Sequence, residues 1–161
     1  MKNPVRIGFG YDTHRLGPDR PLILGGVHIP YEKGLIGHSD ADALLHAITD
    51  ALLGALTLRD IGFHFPDTDP RYKGADSTIF LKDAYEMVKE RGYRLGNMDC
   101  TIIAERPKLN PHIPAMQKVI AECLGVEESA VSIKATTHEK TDAVGQGESM
   151  IAHAVVLLLA Q

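Results

Sequence analysis

The chain has 161 residues, 44% of them apolar and 24% charged, with a formal net charge of −4. That is enough for one soluble globular domain spanning residues 1–161, and it argues against a broad nucleic-acid surface. With no Trp and 6% aromatic residues, a stacking platform for single strands is not expected, and no apolar run reaches membrane-spanning length.

Val5 to Arg15 reads as the first strand, with β-branched and aromatic residues in alternation. Asp12 and His14 are two apart, so both side chains point to one face. A turn at Gly17-Pro18-Asp19 follows. Pro21 to Ile29 reads as a hairpin with Gly25-Gly26 as its two-residue turn and His28 toward solvent. Pro30 to Gly37 reads as a loop.

Gly37 to Asp60 is the stretch that organises the rest. Leu45, Ile48, Leu52 and Leu56 recur at helical spacing and predict a buried face. Asp42, His46 and Asp50 form a second, polar stripe. Ser39 is expected to cap the helix, with Asp42 three residues on in a capping-box pattern. One carboxylate and two imidazoles, Asp12, His14 and His46, make a three-ligand set with the fourth position open. Zinc, manganese, iron and cobalt all suit these residue types. Spacing equally allows a solvated His46, and Asp42 suits a helix cap better than a ligand.

The helix is expected to end between Gly54 and Leu58, with a turn at Arg59 to Gly62. Phe65-Pro66-Asp67-Thr68-Asp69-Pro70 is dense in turn formers and reads either as a plain loop or as one facing a substrate. Asp76 to Arg91 reads as a second helix, capped by Asp76 or Ser77. Phe80, Leu81, Ala84, Met87 and Val88 form its core face, and Gly92 ends it. Asn97 to Ala104 reads as a strand. A loop, Glu105 to Pro111, leads into a helix from Pro111 to Leu124, with Asn110 its expected cap and Gly125 its stop.

Val131 to Ala135 reads as a strand. In Thr136-Thr137-His138-Glu139-Lys140, amides, hydroxyls and a lysine could hold a diphosphate, and Glu139 a hard cation. Met150 to Ala160 is almost wholly apolar, and Val155 and Val156 favour a strand. Its two apolar faces both need cover. We therefore expect an α+β fold: a single layer of helices on a mixed β-sheet, with the other sheet face buried in an oligomer. Cys100 and Cys123 lack metal-ligand spacing and are expected to be buried thiols in a reducing compartment.

Together these stretches closely resemble the 2-C-methyl-D-erythritol 2,4-cyclodiphosphate synthase family. The motifs are GYDTHR, LILGGVHIPYEKGLIGHSDADALLHAITDALLGA, DIGFHFPDTDP, KGADS, LGNMD, TIIAERPKL, KATTHEK and GQGE. They span essentially the whole chain. The resemblance implies a homotrimer with active sites between subunits and a small cytidyl diphosphate substrate, with no nucleic-acid or membrane partner. It implies zinc on Asp12, His14 and His46, and magnesium or manganese on Glu139. His38 and Ser39 match residues at the erythritol-phosphate end, and His38 with Thr137 match positions that hold the reacting phosphates. Asp60, Ile61 and Gly62, with Phe65, Pro66, Asp67, Thr68 and Asp69, match the mobile part of the pocket. Ala104, Glu105, Arg106, Pro107, Lys108 and Leu109, with Ala135, Thr136 and Thr137, match a cytidine and diphosphate pocket supplied by the neighbour.

The implied reaction is attack of the substrate's own 2-phosphate on its β-phosphorus, with CMP leaving. Such a reaction needs no protein nucleophile. The family often has an aromatic residue and an Arg in the loop after the Thr-Thr-x-Glu-Lys motif, and the Arg lines a cavity on the three-fold axis. Ala143 and Gln146 stand there in this chain, so an isoprenoid diphosphate on that axis is not carried over; Glu148 is kept. A metal-dependent phosphohydrolase is the alternative reading, and a trimeric binding module with a structural metal is another. The start MKNPVRIGFG reads as a strand and not as a targeting leader, which suits a bacterial cytoplasm.

Overall fold

The computed structural model describes residues 3–161. Alternation along the first strand runs on past Arg15, so β1 spans Val5–Gly17. The short strands β2 (Leu22–Leu24) and β3 (Val27–Ile29) form the expected hairpin. Gly25 and Gly26 turn it with φ of +58° and +72°, values at which both residues of a two-residue turn favour glycine. His28 is exposed, as expected.

Residues 30–37 are not all loop. Gly34–Ile36 is a strand, β4, paired antiparallel with the end of β1. Three residues are too few to show alternation, which is why pattern alone passes over them.

Helix α1 is Ala43–Ala55. Ser39 is not its cap. Ala41 has φ of +58°, so no helix can run through it, and the cap falls to Asp42. The Asp42 carboxylate accepts from Leu45 N at 3.0 Å. It also accepts from Gly25 N at 3.0 Å and Gly26 N at 2.7 Å, and so ties the hairpin turn to the start of α1. Burial pushes this carboxyl up to about 6, against the pull of those three donors. Leu45, Ile48, Leu52 and Leu56 are all buried, as their spacing predicts.

A one-turn helix, α2 (Ile61–His64), replaces part of the expected turn. Helix α3 is Thr78–Glu90 and buries Phe80, Leu81, Ala84, Tyr85 and Val88, with Met87 half-buried. Strand β5 starts at Tyr93 and not at Asn97, because Gly96 is taken up as a bulge within the strand. Helix α4 is Ile113–Leu124, preceded by a 3-10 turn over Asn110–His112, so Asn110 does not cap it. Gly125 ends α4 in the left-handed region, as expected. Strand β6 (Val131–Thr136), a one-turn helix α5 (Asp142–Gly145) and strand β7 (Ser149–Ala160) complete the chain. Cys100 is buried and Cys123 only half-buried; neither forms a disulfide.

The five-stranded sheet has the order β4-β1-β7-β5-β6. Only β5 and β6 run parallel, so the sheet is mixed. The long helices lie on one face. Met150, Ala152, Ala154, Val156 and Leu158 of β7 are buried beneath them. On the opposite face Ile7 is 69% exposed and Phe9 59%.

Helix α1 lies hard against β1. A Cβ on Gly8 would sit 1.8 Å from the Ala51 carbonyl oxygen, and one on Gly10 the same distance from that of Ala47. Two residues of strand advance about 6.8 Å and four of helix about 6 Å. The two backbones therefore stay in step past Gly10, which sets Asp12 and His14 beside His46.

Candidate functional site

One ligand atom from each of Asp12, His14 and His46 lies within 4.8 Å of the other two. His14 Nε2 is 2.9 Å from Asp12 Oδ2 and 3.3 Å from His46 Nδ1. His46 Nδ1 is 3.2 Å from Asp12 Oδ2. A tetrahedral ion about 2.0 Å from each ligand would space them about 3.3 Å apart. The triangle is therefore of the size that one such ion requires.

The tautomers suit the same purpose. His14 Nδ1 donates to the Ile36 carbonyl at 2.9 Å, which leaves the lone pair on Nε2. That partner lies on β4, the strand missed in the sequence. His46 Nε2 is 2.8 Å from Ser77 Oγ and 3.3 Å from Ser39 Oγ, and its Nδ1 faces the triad. Asp12 Oδ2 is buried and receives no well-directed hydrogen bond. A carboxylate oxygen and two imidazole nitrogens thus converge on one point, an arrangement that a cation satisfies. Burial pushes the Asp12 carboxyl up, but the two imidazoles outweigh it and hold the group below its ordinary value. Burial pushes His14 down, and the Asp12 carboxylate more than reverses this.

A cavity of about 270 Å³ opens on the triad. His14, His38, Ser39, His46, Ile61, Phe65 and Asp67 line it, with Tyr72 and Phe80. Phe65 and Phe80 meet at 4.9 Å between ring centres and form an apolar wall. His38 Nε2 donates to the Asp69 carbonyl at 3.3 Å. The remaining expected residues of this loop do other work. Asp60 caps α2 by accepting from Phe63 N at 2.9 Å. Asp69 grips Arg71, with Oδ2 2.6 Å from the guanidinium. Gly62, Pro66 and Thr68 do not line the cavity.

A second cavity, of about 370 Å³, lies at the ends of β5 and β6. Ala104, Glu105, Pro107, Lys108, Leu109, Ala135, Thr136 and Thr137 line it, with Asn110 and Pro111. Arg106 is not on its wall. Thr137 Oγ1 donates to Glu139 Oε1 at 3.0 Å. Glu139 and Lys140 have φ of +51° and +63°, conformations unusual outside glycine. Glu139 is not part of the triad. Among the described residues, Asp12, His14 and His46 form the only group of three or more such side chains placed to hold a metal.

The sheet relates the two cavities. Asp12, Ala152, Ile102 and Ala135 form one row across β1, β7, β5 and β6. Three strand spacings put about 14 Å between the ends of that row. Both cavities therefore open at the same end of the sheet.

The sequence assigns no site role to Asp40, Ser77 or Arg20. Asp76 or Ser77 is expected to cap α3; Asp76 accepts from Thr78 N at 2.8 Å, while the Ser77 hydroxyl makes no cap bond and turns to Asp40 Oδ1 at 2.5 Å. Arg20 donates to the carbonyls of Gly37 and Ser39 at 3.1 and 3.0 Å, bracing the segment that carries His38. No local pattern marks these pairs, because the partners are 17 to 37 positions apart.

Residues 5–159 match the family model described as the YgbB family. A relative from Porphyromonas gingivalis, named 2-C-methyl-D-erythritol 2,4-cyclodiphosphate synthase, is 61% identical over 160 residues, 99% of each chain. A solved structure from Plasmodium falciparum, described as an IspF CDP complex, superposes with a TM-score of 0.88 at 36% identity, covering 100% of this chain and 99% of that one. The bifunctional IspDF from Campylobacter jejuni superposes at 0.94 with 44% identity over 98% of this chain, which spans 42% of that protein. On this full-length match the chain belongs to the YgbB family, that of the 2-C-methyl-D-erythritol 2,4-cyclodiphosphate synthases.

Proposed function

We propose that the chain converts 4-diphosphocytidyl-2-C-methyl-D-erythritol 2-phosphate to 2-C-methyl-D-erythritol 2,4-cyclodiphosphate and CMP. The observation that carries this reading is the Asp12, His14 and His46 triangle, with its lone pairs converging at the mouth of a cavity. The synthase relatives supply the reaction class.

An oxygen of the 2-phosphate attacks the β-phosphorus, and the bond from that phosphorus to the oxygen bridging it to the α-phosphate breaks. CMP leaves with that oxygen. An anion must approach an anion, so the protein's task is placement and charge compensation. Asp12, His14 and His46 would hold zinc, which when bound supplies positive charge and an open position for a phosphate oxygen. Glu139 would hold magnesium or manganese, which would supply further positive charge beside the diphosphate.

His38, held by the Asp69 carbonyl, and Thr137, beside Glu139, orient the two phosphates. Ser39, which lines one cavity with His38, Ile61, Phe65 and Asp67, meets the erythritol end of the substrate, with the loop from Asp60 to Asp69 as the mobile part of that pocket. Ala104, Glu105, Pro107, Lys108 and Leu109, with Ala135 to Thr137, form the cytidine and diphosphate pocket, and Arg106 flanks it in sequence.

The working unit is a homotrimer in a bacterial cytoplasm, each site completed by a neighbour. The open face of the sheet, with Ile7, Phe9, Tyr11 and Val155 exposed, supports such an assembly. No described helix is long and apolar enough to cross a membrane.

Phosphorus NMR of the purified protein with the cytidyl substrate and magnesium tests the reading. A cyclic diphosphate appearing with CMP is the expected result. Acyclic phosphates would replace it with a phosphohydrolase.

A further inference from the structure

We propose that Asp40, acting through Ser77, is the positioning group that sets the tautomer of His46 and with it the strength of metal binding. The inference rests on the metal reading given above and adds two residues that lie outside the triad and do not line its cavity.

The Asp40 carboxylate can only accept hydrogen bonds. Ser77 Oγ lies 2.5 Å from its Oδ1, so the hydroxyl proton is committed to Asp40. Ser77 has no exposed surface, and the other polar partner of its hydroxyl is His46 Nε2 at 2.8 Å. With its proton spent, the hydroxyl can only accept from that nitrogen. His46 is then protonated at Nε2 and carries its lone pair on Nδ1. That is the atom facing Asp12 Oδ2 and His14 Nε2. The opposite tautomer would aim an N–H at the other two ligands and leave nothing to bind with. Ser39 Oγ is farther from Nε2, at 3.3 Å against 2.8 Å for Ser77 Oγ, and is the weaker of the two partners.

The same carboxylate is itself held in place. It accepts from Ser77 N at 3.0 Å and Asp42 N at 3.1 Å. Two backbone bonds, Asp40 N to the Ala75 carbonyl at 3.0 Å and Gly74 N to the His38 carbonyl at 2.8 Å, fasten segment 74–77 to segment 38–40. The start of α3 and a ligand on α1 are thus joined through one fixed acceptor. Groups that orient a ligating histidine in this way are worth on the order of 10- to 100-fold in metal affinity.

The test uses Zn2+ alone, titrated into metal-stripped protein against a chelating dye, and needs no turnover. Ser77→Ala is expected to weaken zinc binding on the order of 10- to 100-fold, with wild-type secondary structure by circular dichroism. Nitrogen NMR of histidine-labelled, metal-free wild type at mildly alkaline pH is expected to find His46 protonated at Nε2. Unchanged zinc affinity in a folded Ser77→Ala protein would overturn the proposal. So would a His46 protonated mainly at Nδ1, a result that decides the matter even if the variant does not fold. Zinc binding that His46→Ala leaves unaltered would remove the metal reading itself, and this inference with it.

Discussion

Gly10 approaches Ala47 so closely that a Cβ on the glycine would lie 1.8 Å from the Ala47 carbonyl oxygen and 2.8 Å from its carbon. Both obstructing atoms are backbone, so no rotamer change relieves the contact. The position of His46 over Asp12 and His14 depends on this closeness, because α1 carries His46 one residue before Ala47.

Gly10→Ala is therefore expected to push α1 away from β1. Overpacking by a methyl group typically costs about 1–3 kcal/mol where side chains can yield. Here the loss should reach at least about 3 kcal/mol, since only backbone can move. Urea unfolding would measure it, and zinc binding should weaken in whatever folds. Stability within about 0.5 kcal/mol of wild type would mean that the helix position is not set by this contact.

Asp42→Ala should rank among the most destabilising changes in the chain. It strips the acceptor from Leu45 N, Gly25 N and Gly26 N at once. Each buried unsatisfied donor costs about 1–3 kcal/mol, so a total of about 3–5 kcal/mol is expected. A shift in the denaturant midpoint checks this, and a loss near 1 kcal/mol would reduce Asp42 to an ordinary cap.

Thr57 offers the opposite sign. It follows α1 with φ of +58°, while Thr57 N bonds the Gly54 carbonyl and Leu58 N the Leu53 carbonyl. This is a helix-ending motif in which glycine is preferred and a β-branched residue is strained. Thr57→Gly should raise stability by about 1 kcal/mol, read as a higher melting temperature.

Two changes probe the chemistry. His46→Ala should abolish formation of the cyclic product while the oligomer persists on a sizing column. Retained turnover would take His46 out of the site.

Glu139→Gln should weaken the response of rate to magnesium or manganese and leave zinc content as in wild type. The carboxylamide keeps an oxygen near Thr137 but loses the charge that a hard cation prefers. An unaltered metal response would contradict the assigned role.

Much of the site was legible in the chain alone. Asp12 and His14 share a face because strand side chains repeat every two residues. His46 is carried on a helix whose apolar spacing is plain in Leu45, Ile48, Leu52 and Leu56. The Gly25-Gly26 turn and the Gly125 stop are local conformational demands that local sequence can express. Other features were settled only by tertiary structure. Helix α1 starts at Ala43 because Ala41 adopts a left-handed conformation and Asp42 finds the hairpin amides. Gly8 and Gly10 read as ordinary strand residues until α1 lies on them. Ser77 turns from its own helix to Asp40, 37 positions away, and Ile36 becomes a strand residue that holds His14 from 22 positions away. Periodicity reports which way a side chain points along its own element. Which group waits there is decided when distant segments pack, since burial then obliges every polar atom to find a partner.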